Sequence, residues 1–210
     1  TTLEEAFAQE ASGLEPERNT DAREVRNYER ALHGGIDAIE KGRSLSLALI
    51  KDLHGVLMTE VRGKDKTPGV YRKEQVWIGP EESRKDIHRA RFIPPPWEHV
   101  QSCMDGLEQQ SLATTDDDPL IRLALVHYQF ESIHPFGDGN GRTGRLLISL
   151  QSIRERLLDE PWLYVSPYLE AHKQEYYDLL YNTSARGDYL AWIRFFIKAV
   201  RESARSILKK

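Results

Sequence analysis

Between His134 and Arg145 the chain reads His-Pro-Phe-Gly-Asp-Gly-Asn-Gly-Arg-Thr-Gly-Arg, so an imidazole, a carboxylate, an amide and two guanidinium groups share a glycine-rich dozen residues. Gly137, Gly139 and Gly141 are expected to take positive φ and let successive backbone N–H groups converge on an anion. A helix starting near Gly141 adds its unpaired N–H groups and the positive end of its dipole. Arg142 and Arg145, three apart on its first turns, oppose that dipole unless an anion lies between them. The ligand implied is a phosphate chain. Asp138 inside so positive a cradle suits Mg²⁺, which takes few carboxylates and shares its shell with substrate phosphates. His134 titrates near neutrality and stands just before the loop, where it can take a proton from an incoming hydroxyl while the loop holds the phosphorus.

These residues resemble the signature of the Fic family: histidine, any residue, phenylalanine, any residue, an acid, then Gly-Asn-Gly-Arg, two free positions and a second arginine. Every fixed position is filled, and Phe130-Glu131-Ser132-Ile133 before and Leu146-Leu147-Ile148 after are also similar to the family. The resemblance implies a mainly all-α chain, a Fic-type helical bundle with one β-hairpin flap. It also implies transfer of AMP from Mg-ATP to a Ser, Thr or Tyr hydroxyl of a target protein. By position, His134 would be the general base and Asp138 the Mg²⁺ ligand. Asn140, with the backbone of Gly137, Gly139 and Gly141, would cradle the α-phosphate, and Arg142 and Arg145 would hold the β- and γ-phosphates. In the related Doc kinases a lysine stands where this chain has Gly141 and the γ-phosphoryl group is transferred, so Gly141 favours AMP transfer. Tyr177 would wall the adenine pocket. Alternatives on the same fold are transfer of UMP or phosphocholine, removal of AMP, and a non-catalytic nucleotide sensor.

The elements that must position these groups are mostly helical. Leu120 to Phe130 is apolar at helical spacing and the pattern resumes at Leu146, so two core helices clamp the loop. Residues 21–41 form an amphipathic helix with Val25, Tyr28, Leu32, Ile36 and Ile39 inward. Gly34-Gly35 interrupts it, at about 1 kcal/mol per glycine. Ser44 is expected to cap the next helix, which carries Leu45, Leu49, Leu53, Leu57 and a packed His54. The period then changes: Thr67-Pro68-Gly69-Val70-Tyr71-Arg72 is turn chemistry, and Gln75-Val76-Trp77-Ile78-Gly79 is β-rich. A lone hairpin has an exposed edge that an extended peptide can pair with. Its place matches the family's flap, so Val70, Gln75, Val76, Trp77 and Ile78 are the expected target-docking residues. Phe92-Ile93-Pro94-Pro95-Pro96-Trp97 reads as a rigid connector into a helix over residues 98–112. Asp116-Asp117-Asp118-Pro119 is helix-capping chemistry. His127, Glu131 and His134 share a helical face, but a metal triad there would leave the glycine loop and both arginines unexplained. After the motif helix, residues 169–183 form a helix carrying Tyr176-Tyr177, and residues 189–208 another with Trp192, Phe195 and Phe196 as core.

With 210 residues and 40% apolar content, one domain suffices, burying roughly 70% of its unfolded surface. A net charge of −4 and a pI near 6.0 argue against general nucleic-acid binding. Cys103 is the single cysteine, so no internal disulfide framework exists. No apolar run is long enough to span a bilayer and no signal-peptide pattern opens the chain, which points to the cytoplasm and away from membrane partners. The expected partners are ATP and a protein docked on the flap, with a homodimer left open. The opening Thr suggests trimming at the N-terminus, and the C-terminus is open to the same reading. In similar chains an inhibitory Ser/Thr, three free residues, Glu, then Gly or Asn masks the second motif arginine. Thr1 to Ala6 meets this only in part, because Ala6 follows Glu5, so the motif is expected upstream of Thr1.

Overall fold

The computed structural model describes residues 18–61, 67–79, 86–109, 117–158 and 163–207. Thr1 to Ala6, including Glu5, and Asp116 lie outside them. Eight α-helices fall within this range: α1 (Arg18–Glu40), α2 (Leu47–Leu57), α3 (Val100–Leu107), α4 (Pro119–Ile133), α5 (Asn140–Arg154), α6 (Ser166–Ala171), α7 (Lys173–Arg186) and α8 (Tyr189–Ile207). No described helix is long and apolar enough to cross a membrane.

α4 and α5 are the centre because they are apolar on more than one face, and such helices are stable only when covered on each. On one side Val126, Phe130, Ile133, Leu146, Leu147 and Leu150 pack with Leu49, Ile50, Leu53 and Leu57 of α2 and with Met104 and Leu107 of α3. On the other, Leu123, Ala124, Tyr128 and Ile148 pack with Trp192, Phe195 and Phe196 of α8. These three aromatics are core, as the sequence predicts. Trp192 is wholly buried and donates its indole N–H to the Ala124 carbonyl at 2.8 Å. A buried ion pair, Arg122 to Glu155 at 2.6 Å, ties α4 to the residue that ends α5.

The caps explain where the helices start. Asp118 accepts from the N–H groups of Leu120 and Ile121, with Pro119 in the first turn, as expected of the acidic run. α2 is capped by Ser46 rather than Ser44. Leu45 before the cap and Ile50 in the first turn are both buried, and this apolar staple sets the entry. The Leu47 N–H is taken by Glu108 from across the core. The predicted helix over 169–183 is broken at His172 (φ −116°, ψ 29°), leaving α6 and α7.

Two expectations change. The described residues hold no β-strand, only an antiparallel bridge in which Ile78 and Phe92 exchange backbone hydrogen bonds of 2.9 and 3.0 Å. In this register Pro94 stands opposite Val76 and has no N–H to extend the ladder. Its carbonyl is taken instead by the Gln75 side chain. Nor do Gly34 and Gly35 interrupt α1, which runs through both. Gly35 is a packing site, since a β-carbon there would sit 2.8 Å from the buried Leu150 methyls, whereas Gly34 faces open space. Chemical denaturation should therefore separate the pair. Gly34→Ala should gain roughly 0.5–1 kcal/mol of stability, and Gly35→Ala should lose roughly 1–3 kcal/mol.

Candidate active site

α4 ends by turning left-handed. His134 has φ 49° and ψ 61°, and its N–H closes the last turn on the Phe130 carbonyl. Phe136 is thereby driven into the core, where His54 stacks on it at 3.7 Å and Tyr71 and Phe130 pack around it. Its buried backbone is satisfied by one side chain. Asn140 accepts from the Phe136 N–H at 2.9 Å and donates to the Phe136 carbonyl at 2.8 Å. Both polar atoms of this amide are thus spent on the turn, and Asn140 is only 2% exposed. This loop closure is a role that the sequence reading did not assign to Asn140.

Only Gly139 of the three expected glycines has positive φ (79°), as the residue that starts α5. A β-carbon there would also meet Met58 Sδ at 2.6 Å. Gly141 is already helical, and its missing side chain makes room for Arg145, whose Nη1 would lie 3.1 Å from a β-carbon. The sharp reversal that the glycines were expected to supply belongs partly to His134. Asp138 accepts from the Gly139 N–H at 2.6 Å, and its carbonyl meets His54 Nε2 at 2.9 Å. The Gly69 N–H donates to His54 Nδ1, so Nε2 carries the proton and His54 is a neutral, packed histidine, as expected. Burial pushes its pKa down.

The two arginines have different neighbours. Arg142 is 3.3 Å from Glu24 of α1 and 4.0 Å from Asp138. The Glu24 pair is invisible in the sequence reading, which assigned no role to the polar face of α1. Arg145 lies over Gly141, and its charge reaches Glu131 and His127. Glu131 Oε1 is buried without a hydrogen-bond partner, and burial raises that carboxyl to about 7. A β-carbon at Gly144 would collide with it. His127 is pushed down to about 3 by burial, with Arg145 adding to the effect, and its Nε2 lies 3.0 Å from Tyr176 OH. The described residues include no group of three potential metal ligands. A partly exposed Asp138 fits a metal held chiefly by substrate phosphates, not an all-protein cage.

A cavity of about 710 Å³ opens beside the motif, lined by His134, Glu131 and Gly141, by Ile78 and Phe92 of the bridge, and by Lys173, Gln174, Tyr177 and Tyr181 of α7. Of the tyrosine pair, Tyr176 points inward to His127 and Tyr177 stands on the cavity wall. Arg91 bridges the opening, ion-paired with Asp178 and lying over the Tyr177 ring. A second cavity of about 290 Å³ lies between Gly137 and Val70, Arg72, Glu74 and Val76. Of the five flap residues, Ile78 therefore faces the large cavity, Val70 and Val76 the small one, and Gln75 braces the arm. Trp77 lies on that same arm and lines neither cavity. Sequence reasoning missed Arg91, Glu131 and α7's Lys173 and Gln174 as cavity residues, because only folding brings them near the motif.

Residues 44–152, just over half of the chain, match the model of the Fic/DOC family. The chain belongs to the Fic/DOC family. It is similar to protein adenylyltransferase fic-1 of Caenorhabditis elegans, 38% identical over 90 residues, which is 41% of this chain and 15% of that one. Protein adenylyltransferase Fic of Aedes aegypti is 26% identical over 201 residues, 90% of this chain and 36% of the relative. Among solved structures, a Fic family protein from Desulfovibrio desulfuricans superposes with a TM-score of 0.79 at 27% identity, covering all of this chain and 60% of that one. Fic-1 of C. elegans shares the fold at 24% identity, with a TM-score of 0.67 over 99% of this chain and 58% of its own. This Fic domain thus spans well under half the length of these curated relatives.

Burial, with Arg72 nearby, pushes His134 down to about 4, and the Glu131 carbonyl and Asp138 only partly oppose this. The depressed value means that the neutral, proton-accepting imidazole persists far below pH 6.5. Imidazole NMR should place its midpoint near pH 4, and a midpoint at 6.5 would mean the ring is solvated rather than buried.

Proposed function

We propose that this Fic domain transfers AMP from Mg-ATP to a Ser, Thr or Tyr hydroxyl of a protein. The observation that carries this reading is a neutral, partly buried His134 on the wall of a cavity that also meets the N-terminus of the arginine-bearing α5 and Tyr177 of α7. The acceptor oxygen attacks the α-phosphorus, the bond to the bridging oxygen of the β-phosphate breaks, and pyrophosphate leaves. His134 takes the hydroxyl proton. The N–H groups opening α5 face the α-phosphate, Arg142 and Arg145 hold the outer phosphates, and Tyr177 packs against the base. Asp138 would hold Mg²⁺, whose contribution is to neutralise charge on the phosphates.

The adenylyltransferase names of the relatives support AMP as the transferred group. Gly141 fits the same reading, because a side chain there would crowd Arg145, whose Nη1 would lie 3.1 Å from its β-carbon. Glu24 beside Arg142 requires that guanidinium to be shared with, or released to, the nucleotide.

Incubation with labelled ATP and lysate tests the reading. His134→Ala should lower transfer by ~10²–10⁴-fold yet keep nucleotide affinity, because the base acts on the incoming hydroxyl. Transfer at the wild-type rate would rule out the role of His134.

Target docking on residues 75–78 is the second part of the proposal. Residues 75–78 form one arm of the Ile78–Phe92 bridge, along which an extended target segment would lie. Val76→Pro should then impair protein modification far more than ATP binding. Equal losses in both would make this arm structural.

A further inference from the structure

Arg72 is the one deeply buried cation beside the motif, 6% exposed, and it has no carboxylate within ion-pair distance among the described residues. Its donors go to backbone carbonyls. Nε donates to the His134 carbonyl at 2.9 Å, and Nη2 to the Pro95 carbonyl at 2.6 Å and, longer, to that of Ile133 at 3.4 Å. Nη1 donates to the Glu74 carbonyl at 3.1 Å, and the Arg72 N–H itself donates to the Pro135 carbonyl at 2.9 Å.

Three successive carbonyls, 133, 134 and 135, are therefore held by one residue. The Ile133 carbonyl is one of those that α4 leaves unpaired at its end, where the negative end of the helix dipole lies, and the His134 and Pro135 carbonyls continue the backbone past that end through the turn. The guanidinium supplies both the missing donors and the compensating charge. It does so where the backbone takes its left-handed step at His134, a conformation that costs a non-glycine residue energy and persists only when its surroundings impose it. The direction in which the imidazole leaves the backbone is set by that step.

We propose that Arg72 is a positioning residue for His134, fixing the base toward the cavity by clamping the carbonyls of the turn that carries it. This rests on the reading of His134 as the general base. Its two remaining acceptors, Glu74 and Pro95, lie on the two segments that flank the Ile78–Phe92 bridge, so the same clamp holds the target-side arm and the base in one frame. A lysine keeps the charge but cannot fork to carbonyls in three directions.

The test is Arg72→Gln and Arg72→Lys in the intact domain, with kinetics and ¹⁵N-imidazole spectra, the His134 signals being assigned through His134→Ala. A displaced base should lower kcat for AMP transfer by ~10²-fold in Arg72→Gln, with Arg72→Lys recovering only part of the loss and KM for ATP within twofold in both. The His134 signals should shift and broaden while those of His127, packed against Trp192 and Phe196, and of His172, stacked on Tyr168, stay in place. Unchanged kcat with unchanged His134 signals would overturn the proposal. So would parallel changes in kcat, KM and all imidazole signals, or loss of the helical circular-dichroism signal in both variants, since either makes Arg72 a residue of the fold at large. If the wild-type domain transfers no AMP, the proposed function fails, and the His134 signals alone still decide the role of Arg72.

Discussion

The whole site depends on closing a buried turn without leaving its backbone unsatisfied. Between α4 and α5 the chain reverses inside the protein, where each orphaned N–H or carbonyl is costly. Phe136 anchors the reversal by burying its ring against His54, and Asn140 closes both backbone groups of Phe136 with one amide. His54 and Arg72 then capture the carbonyls of Asp138, Ile133 and His134 from outside the motif. Side chains from α2 and from the segment after it are thus as much a part of the loop as its glycines.

That construction settles how electrostatics are distributed. The polar groups used for scaffolding are buried and paired, while Arg142, Arg145 and Asp138 keep their charged ends near the start of α5. Arg145 is close enough to act on His127 and Glu131, yet burial dominates both, lowering the imidazole and raising the carboxyl. The result is a cationic helix start beside neutral or nearly neutral groups, an environment suited to binding a polyanion and to keeping a neutral base.

Much of this was legible from residue order, because local chemistry specified it. The apolar runs flanking the motif had to be buried helices, Asp118-Pro119 had to begin one, and Trp192, Phe195 and Phe196 had to be core. The motif carried its own identity, with base, acid, amide and arginines at fixed spacing. Less legible were features in which two distant segments compete for one position. Gly35 looked like a helix breaker until Leu150 was placed beside it, and residues 75–79, read as half of a hairpin, meet the other arm in a β-bridge only at Ile78 among the described residues.

The sequence by itself determined which chemical groups are present, which helices bear them, and the loop that joins those helices, since capping, periodicity and glycine placement act within a few residues. Tertiary structure alone decided that Asn140 serves the loop, that Glu24 lies on Arg142, that Arg91 and Glu131 line the cavity, and that Arg72 grips the turn at His134. Each of these is a hydrogen bond, an ion pair or a direction of burial between residues far apart in the chain. Such partners are chosen by packing, and packing leaves no periodic trace in the order of residues.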